Sequence, residues 1–117
     1  MKASELIRKY GLARYVFASG MVGQAETITP DNVNCPICLA SALILGNGMS
    51  LGEYLKCEDV PPKLVPVFEK VLTAAVGHPG HDDYDSPDVY NLSGQIYNWS
   101  DTHTQEEVIE LLESVGE

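Results

Sequence analysis

The chain has 117 residues, 44% of them hydrophobic, and 17 acidic against 7 basic side chains give a formal charge of −10. That length suits one domain around one modest core. No apolar run approaches the roughly 20 residues of a membrane span, and Met1 to Gly11 has charges inside its short apolar pattern and no signal-peptide core, so the expectation is a cytoplasmic protein with no membrane partner.

Ser4 reads as the N-cap of a first helix, with Leu6, Ile7 and Tyr10 apolar and Gly11 as its stop. Leu12 to Ala18 is ambiguous between helix and strand, since Tyr15, Val16 and Phe17 favour strands. Gly20 to Asn34 reads as loop, with an extended piece at Glu26–Ile28. The next helix is clearer. Asn34 or Cys35 caps it, Pro36 suits its first position, Ile37 to Leu45 is apolar almost all round, and Gly46-Asn47-Gly48 ends it. It should be the most buried helix, and its small residues Ala40, Ser41 and Ala42 let another helix approach closely.

Ser50 and Glu53 form a capping box for a short helix carrying Leu51, Tyr54 and Leu55. Val60-Pro61-Pro62 breaks it. A helix from about Pro66 to Val76 follows, with Val67, Phe68, Val71, Leu72 and Ala75 as its stripe and Gly77 as its stop. His78 to Tyr90 reads as a loop with four aspartates and no apolar period. Leu92, Ile96 and Trp99 share one helical face, and Asp101 and Thr102 break the pattern. Thr104 and Glu107 make a second capping box, opening a helix with Val108, Leu111, Leu112 and Val115 apolar and Gly116 as its stop. The pattern predicts a mainly α fold: a single helical domain over residues 1–117, with about five helices and at most a short two-stranded β element near Tyr15–Ile28.

The charge is unevenly placed. Residues 1–50 carry four basic and three acidic side chains, whereas residues 51–117 carry three lysines against fourteen acids, or −11. Such a field repels phosphate, so no direct nucleic-acid binding is expected. It attracts a basic protein partner, or serves only as a solubilising surface. In the loop, Asp82, Asp83, Asp85 and Asp88 interleave with Tyr84 and Tyr90. Carboxylates that meet a basic groove, with tyrosine as anchoring area, could mimic nucleic-acid phosphates. The loop does not fit the EF-hand spacing, lacking the glycine and the terminal glutamate at their places.

Three cysteines are an odd count, which argues against a disulfide framework. Cys35 and Cys38 form a C-x-x-C, and His78 and His81 an H-x-x-H. Two thiolates and two imidazoles suit tetrahedral zinc. The 39 residues between the pairs exceed the usual finger spacings, and Asp82 and Asp83 could join the histidines around a harder metal. Against zinc stands Cys38 as a small core hydrophobe. A C-x-x-C at a helix N-terminus has the lowered thiol pKa of thioredoxin-like sites. Those sites need a buried strand just before the motif, and Thr29 to Asn34 does not read as one. Cys35 or Cys38 with His78, His81 or His103 holds the ingredients of a nucleophilic pair, yet no spacing shows that any pair meets, and a protein that is not an enzyme is the favoured reading. Trp99, Asp101 and His103 either anchor the helix corner or form a binding surface. A small-ligand pocket for a nucleotide, lined by Trp99 and tyrosines, is a third alternative.

Two segments together resemble a family of small uncharacterised proteins, a domain of unknown function found in actinobacteria and their phages. Cys38-Leu39-Ala40-Ser41-Ala42-Leu43 is similar to its Cys-Ala-Leu-Gly-Ala-Leu helix. Trp99-Ser100-Asp101, followed by Thr104-Gln105-Glu106-Glu107-Val108, is similar to its Trp-Asn-Asp turn and Thr-x-x-Glu-Val helix start. The resemblance spans about residues 1 to 115. Ser100 replaces the usual asparagine, His103 stands where an arginine is common, and Cys35 and the H-x-x-H lie outside the pattern. The resemblance implies a mostly helical single domain with a phage or mobile-element source, and no known activity. The expectation is a non-catalytic acidic binding protein, in phage form an inhibitor acting in the host cytoplasm. The alternative is a zinc-binding protein or zinc-dependent enzyme using the Cys35/Cys38 and His78/His81 pairs.

Overall fold

The computed structural model describes residues 1–14, 18, 25–57, 60–77 and 92–117. Six α-helices lie among them: α1 (Ala3–Tyr10), α2 (Leu39–Gly46), α3 (Leu51–Leu55), α4 (Val65–Val76), α5 (Leu92–Asp101) and α6 (Gln105–Ser114). The mainly α expectation holds. Among the described residues there is no strand, only isolated bridges that pair Ile37 with Leu12 in parallel and with Ala18 antiparallel. Most of the segment expected to hold a two-stranded element lies outside the described residues. Its end, expected to be extended at Glu26–Ile28, instead forms a 3-10 turn over Ala25–Thr27.

α2 is the hub. Every residue from Leu39 to Leu45 is buried, as an unbroken apolar run requires. Each fully buried Leu or Ile contributes roughly 1.5–3 kcal/mol over its exposed state. Around α2 pack α1, α3 and α5, while α6 packs on α1 and α4, and α4 also packs on α5. Phe68, Val71 and Leu72 of α4 and Val108, Leu111 and Leu112 of α6 complete the same core.

The caps explain most boundaries. The side chains of Ser50 and Thr104 accept the backbone N–H of Glu53 and Glu107, and both glutamates reach back as capping boxes. α4 has Pro66 in its first turn, and Gly77 at φ 88° closes it with its N–H on the Thr73 carbonyl. Only a residue without a Cβ takes that left-handed turn cheaply.

Two N-termini differ from the local pattern. α1 begins after Lys2, whose N–H donates to the Glu5 carboxylate at 3.0 Å, and Ser4 is buried at the second helical position. α2 begins at Leu39, with Cys38 as its N-cap rather than Asn34 or Cys35. The reason is non-local. Ile37 gives its N–H to the Gly11 carbonyl and accepts the Ala13 N–H, so its backbone is spoken for by the segment after α1.

Candidate functional site

The residues expected to form a binding surface at the C-terminal corner are brought together by the α5–α6 turn. Thr102 to Thr104 separate the two helices. Thr102 donates its hydroxyl to the Asn98 and Trp99 carbonyls at 3.1 Å, closing the end of α5. His103 Nδ1 lies 2.6 Å from the Trp99 carbonyl. A carbonyl only accepts, so Nδ1 carries the proton and, in the neutral ring, Nε2 is left as the acceptor. This bond folds the imidazole back over its own helix, where it stacks on Trp99 with ring centroids 3.9 Å apart and planes 16° apart. Trp99 is half-buried and packs against the core, so it anchors the corner while part of it still faces outward. Asp101 is half-buried beside it, and Ser100 is fully buried, its hydroxyl without a hydrogen-bond partner among the described residues.

Two further residues fix the corner. Arg14 donates through Nε and Nη2 to the His103 carbonyl at 3.3 and 2.6 Å. Gln105 accepts the Leu12 N–H at 3.1 Å. Neither residue stands out in the sequence. Their partners are 89 and 93 residues away, and no local period reports such a contact.

From this corner α6 carries an acidic ridge. Glu106, Glu110 and Glu113 occupy positions i, i+4 and i+7 and are all exposed, with successive steps of about 6 Å and 4.5 Å along the axis. The helix contains no lysine or arginine. Arg8 of α1 reaches Glu113 at 3.0 Å, and no described cation makes an ion pair with Glu106 or Glu110. Glu107 is held below the ordinary carboxylate range by its hydrogen bonds with Thr104. A carboxylate whose folded pKa is depressed adds stability above its unfolded pKa, and that contribution is lost as pH falls through the folded value. Loss of the N-cap side chain in Thr104→Ala should lower stability by about 1 kcal/mol at neutral pH. The difference between the two proteins should narrow on acidification, as read by urea melts at pH 7 and pH 3.

The remaining expected residues are differently placed. Asp82, Asp83, Tyr84, Asp85 and Asp88, and the histidines His78 and His81, lie outside the described residues. Cys35 is half-buried and Cys38 is buried, and neither is disulfide-bonded. The Cys38 sulfur accepts the Ser41 N–H at 3.4 Å and lies 3.3 Å from the Ser41 hydroxyl. Burial pushes the Cys38 thiol up, with the Ser41 contacts acting weakly the other way. This is the opposite of the lowered thiol expected for a helix N-terminus. The dipole acts on Cys38 as the cap, but desolvation of a thiolate in an apolar core outweighs it. Among the described residues, no group of three or more His, Cys, Asp or Glu side chains is placed to hold a metal ion. Nor is any described helix long and apolar enough to cross a membrane.

A second polar contact lies under the corner. The hydroxyls of Tyr54 on α3 and Tyr97 on α5 are 3.4 Å apart, and burial, then the Tyr54 hydroxyl, pushes Tyr97 up. The contact joins α3 to α5. No family model, curated protein or solved structure matches the chain.

Proposed function

We propose that the protein is a non-catalytic binding protein whose acidic face engages a basic protein partner. The supporting observation is the ridge of Glu106 and Glu110 on α6, two exposed carboxylates one turn apart with no ion-pair cation among the described residues. The helix behind them is anchored by Val108, Ile109, Leu111 and Leu112 in the core and by the Thr104 cap. A rigid row of like charges loses little conformational entropy on binding and repels every acidic competitor. The Tyr/Asp segment, with Asp82, Asp83, Tyr84, Asp85 and Asp88, extends the same charge in sequence, and Trp99, Asp101 and His103 supply an aromatic and polar edge beside the ridge. The resemblance to small actinobacterial and phage proteins gives this reading a natural form, an inhibitor of a host nucleic-acid-handling or defence enzyme whose groove is basic.

The test is affinity capture from an actinobacterial extract at about 0.05 M and about 0.5 M salt, where the screening length falls several-fold. Two variants accompany the parent: Glu106→Gln/Glu110→Gln, and Asp82, Asp83, Asp85 and Asp88 all changed to Asn. A partner retained by the parent at low salt should be released at high salt and bound at least about tenfold more weakly by each variant. Capture indifferent to salt and to both sets of substitutions would rule the reading out.

A further inference from the structure

The C-P-I-C segment has the spacing of a dithiol, yet the fold commits its residues to other contacts. The chain bends at Cys35 and then forms neither turn nor bend at Pro36. Ile37 is held on both sides by its bridges with Leu12 and Ala18, and Cys38 is extended at φ −79°, ψ 170°. A disulfide needs Cα atoms roughly 4.4–6.8 Å apart, so bridging two cysteines three positions apart needs the chain to turn between them. The sulfurs are also committed differently. Cys38 points inward and caps α2 through Ser41, while Cys35 is half-buried at the edge of the core.

We propose that the seat of Ile37 and a Cys35–Cys38 disulfide exclude one another, so that the fold is itself a thiol-redox switch. Closing the disulfide requires a turn at Pro36–Ile37. That turn withdraws Ile37, fully buried, from between Leu12 and Ala18. It breaks the Ile37–Gly11 and Ala13–Ile37 hydrogen bonds and strips α2 of its cap. The co-reactant is a small-molecule disulfide such as oxidised glutathione. One cysteine thiolate attacks it and releases one glutathione thiolate. The second cysteine thiolate then attacks the mixed disulfide and releases the other. Both cysteines are oxidised, and the glutathione disulfide is reduced to two thiols. Because closure and folding compete, the folded chain resists this oxidation and the oxidised chain folds poorly.

The experiment uses Cys57→Ser protein, which removes the exposed third thiol, treated with oxidised glutathione in native buffer and in urea. Mass spectrometry reads the loss of two thiol hydrogens. Disulfide formation should be at least about 100-fold slower in native buffer than in urea, as the small unfolded fraction dictates. After urea is removed, the oxidised chain should melt about 10 °C or more below the reduced one, and dithiothreitol should abolish the difference. Cys35→Ser in the same background should melt alike with and without oxidised glutathione. Oxidation equally fast in both solvents, or oxidised and reduced chains melting together, would overturn the proposal. So would an equal loss in the Cys35→Ser variant.

Discussion

Gly52→Ala should lower the stability of the protein by about 2–3 kcal/mol, although alanine is the better helix former by about 1 kcal/mol. A Cβ built on Gly52 would stand 2.5 Å from the Glu26 carbonyl oxygen. That oxygen belongs to the backbone of the 3-10 turn, so it cannot swing away as a side chain could. Relief requires the turn to move off α3, and the turn is tied there by the Leu51 N–H on the Ile28 carbonyl at 3.0 Å and by the fully buried Ile28. Gly46→Ala meets a related obstacle where α1 lies on the end of α2, with the Ala3 nitrogen 2.8 Å from the new Cβ. Gly48 separates space from conformation. Nothing lies within 4 Å of a Cβ there, but its φ is +85°. Gly48→Asn, which tolerates that backbone, should cost well under 1 kcal/mol, whereas Gly52→Asn should be worse than Gly52→Ala. Thermal melts of the set give the order. A Gly52→Ala protein melting within about 2 °C of the parent would mean that the turn yields without resistance.

These glycines mark where sequence reasoning stops. Gly46 was legible as a helix stop, but the backbone that crowds it was not, because Ala3 lies 43 positions earlier and leaves no local trace. What was legible is the chemistry that helix ends need nearby. The Ser50–Glu53 and Thr104–Glu107 boxes and the stop at Gly77 satisfy their own orphan groups within a few residues. The start of α2 is hidden from the sequence for the same reason in reverse. Pro36 looks like a first helical residue, but the Ile37 N–H goes to Gly11, a tertiary partner that outbids the local pattern. At the corner, the break in apolar spacing at Asp101–Thr102 marks the turn that carries Trp99, Asp101 and His103. Arg14 leaves no such mark, because its role lies in two N–H bonds to a distant carbonyl. Glu117 leaves none either. Its carboxylate joins Lys70 at 2.8 Å and Asn47 at 3.0 Å, clasping α4 and the end of α2.

Phe68→Ala should cost about 3–5 kcal/mol, a large share of the 5–15 kcal/mol that holds a domain of this size together. Phe68 is fully buried on α4, and its ring lies 6.3 Å from that of Tyr54, tilted by 44°. Tyr54 in turn meets Tyr97 of α5 hydroxyl to hydroxyl. The phenylalanine therefore supports α3 directly and α5 at one remove, and α5 ends in the Trp99–His103 stack. Phe68→Leu keeps most of the volume and should cost roughly 1–1.5 kcal/mol. The single tryptophan makes the consequence readable, because Trp99 emission reports the corner while far-UV circular dichroism reports all helices. In Phe68→Ala both midpoints should fall together by about 15 °C or more, as one cooperative core demands. If the dichroism transition moved while Trp99 kept its parental midpoint, α5 and α6 would form a separately stable unit. The acidic ridge would then owe nothing to the core beneath α2, and its rigidity would have to come from the α5–α6 corner alone.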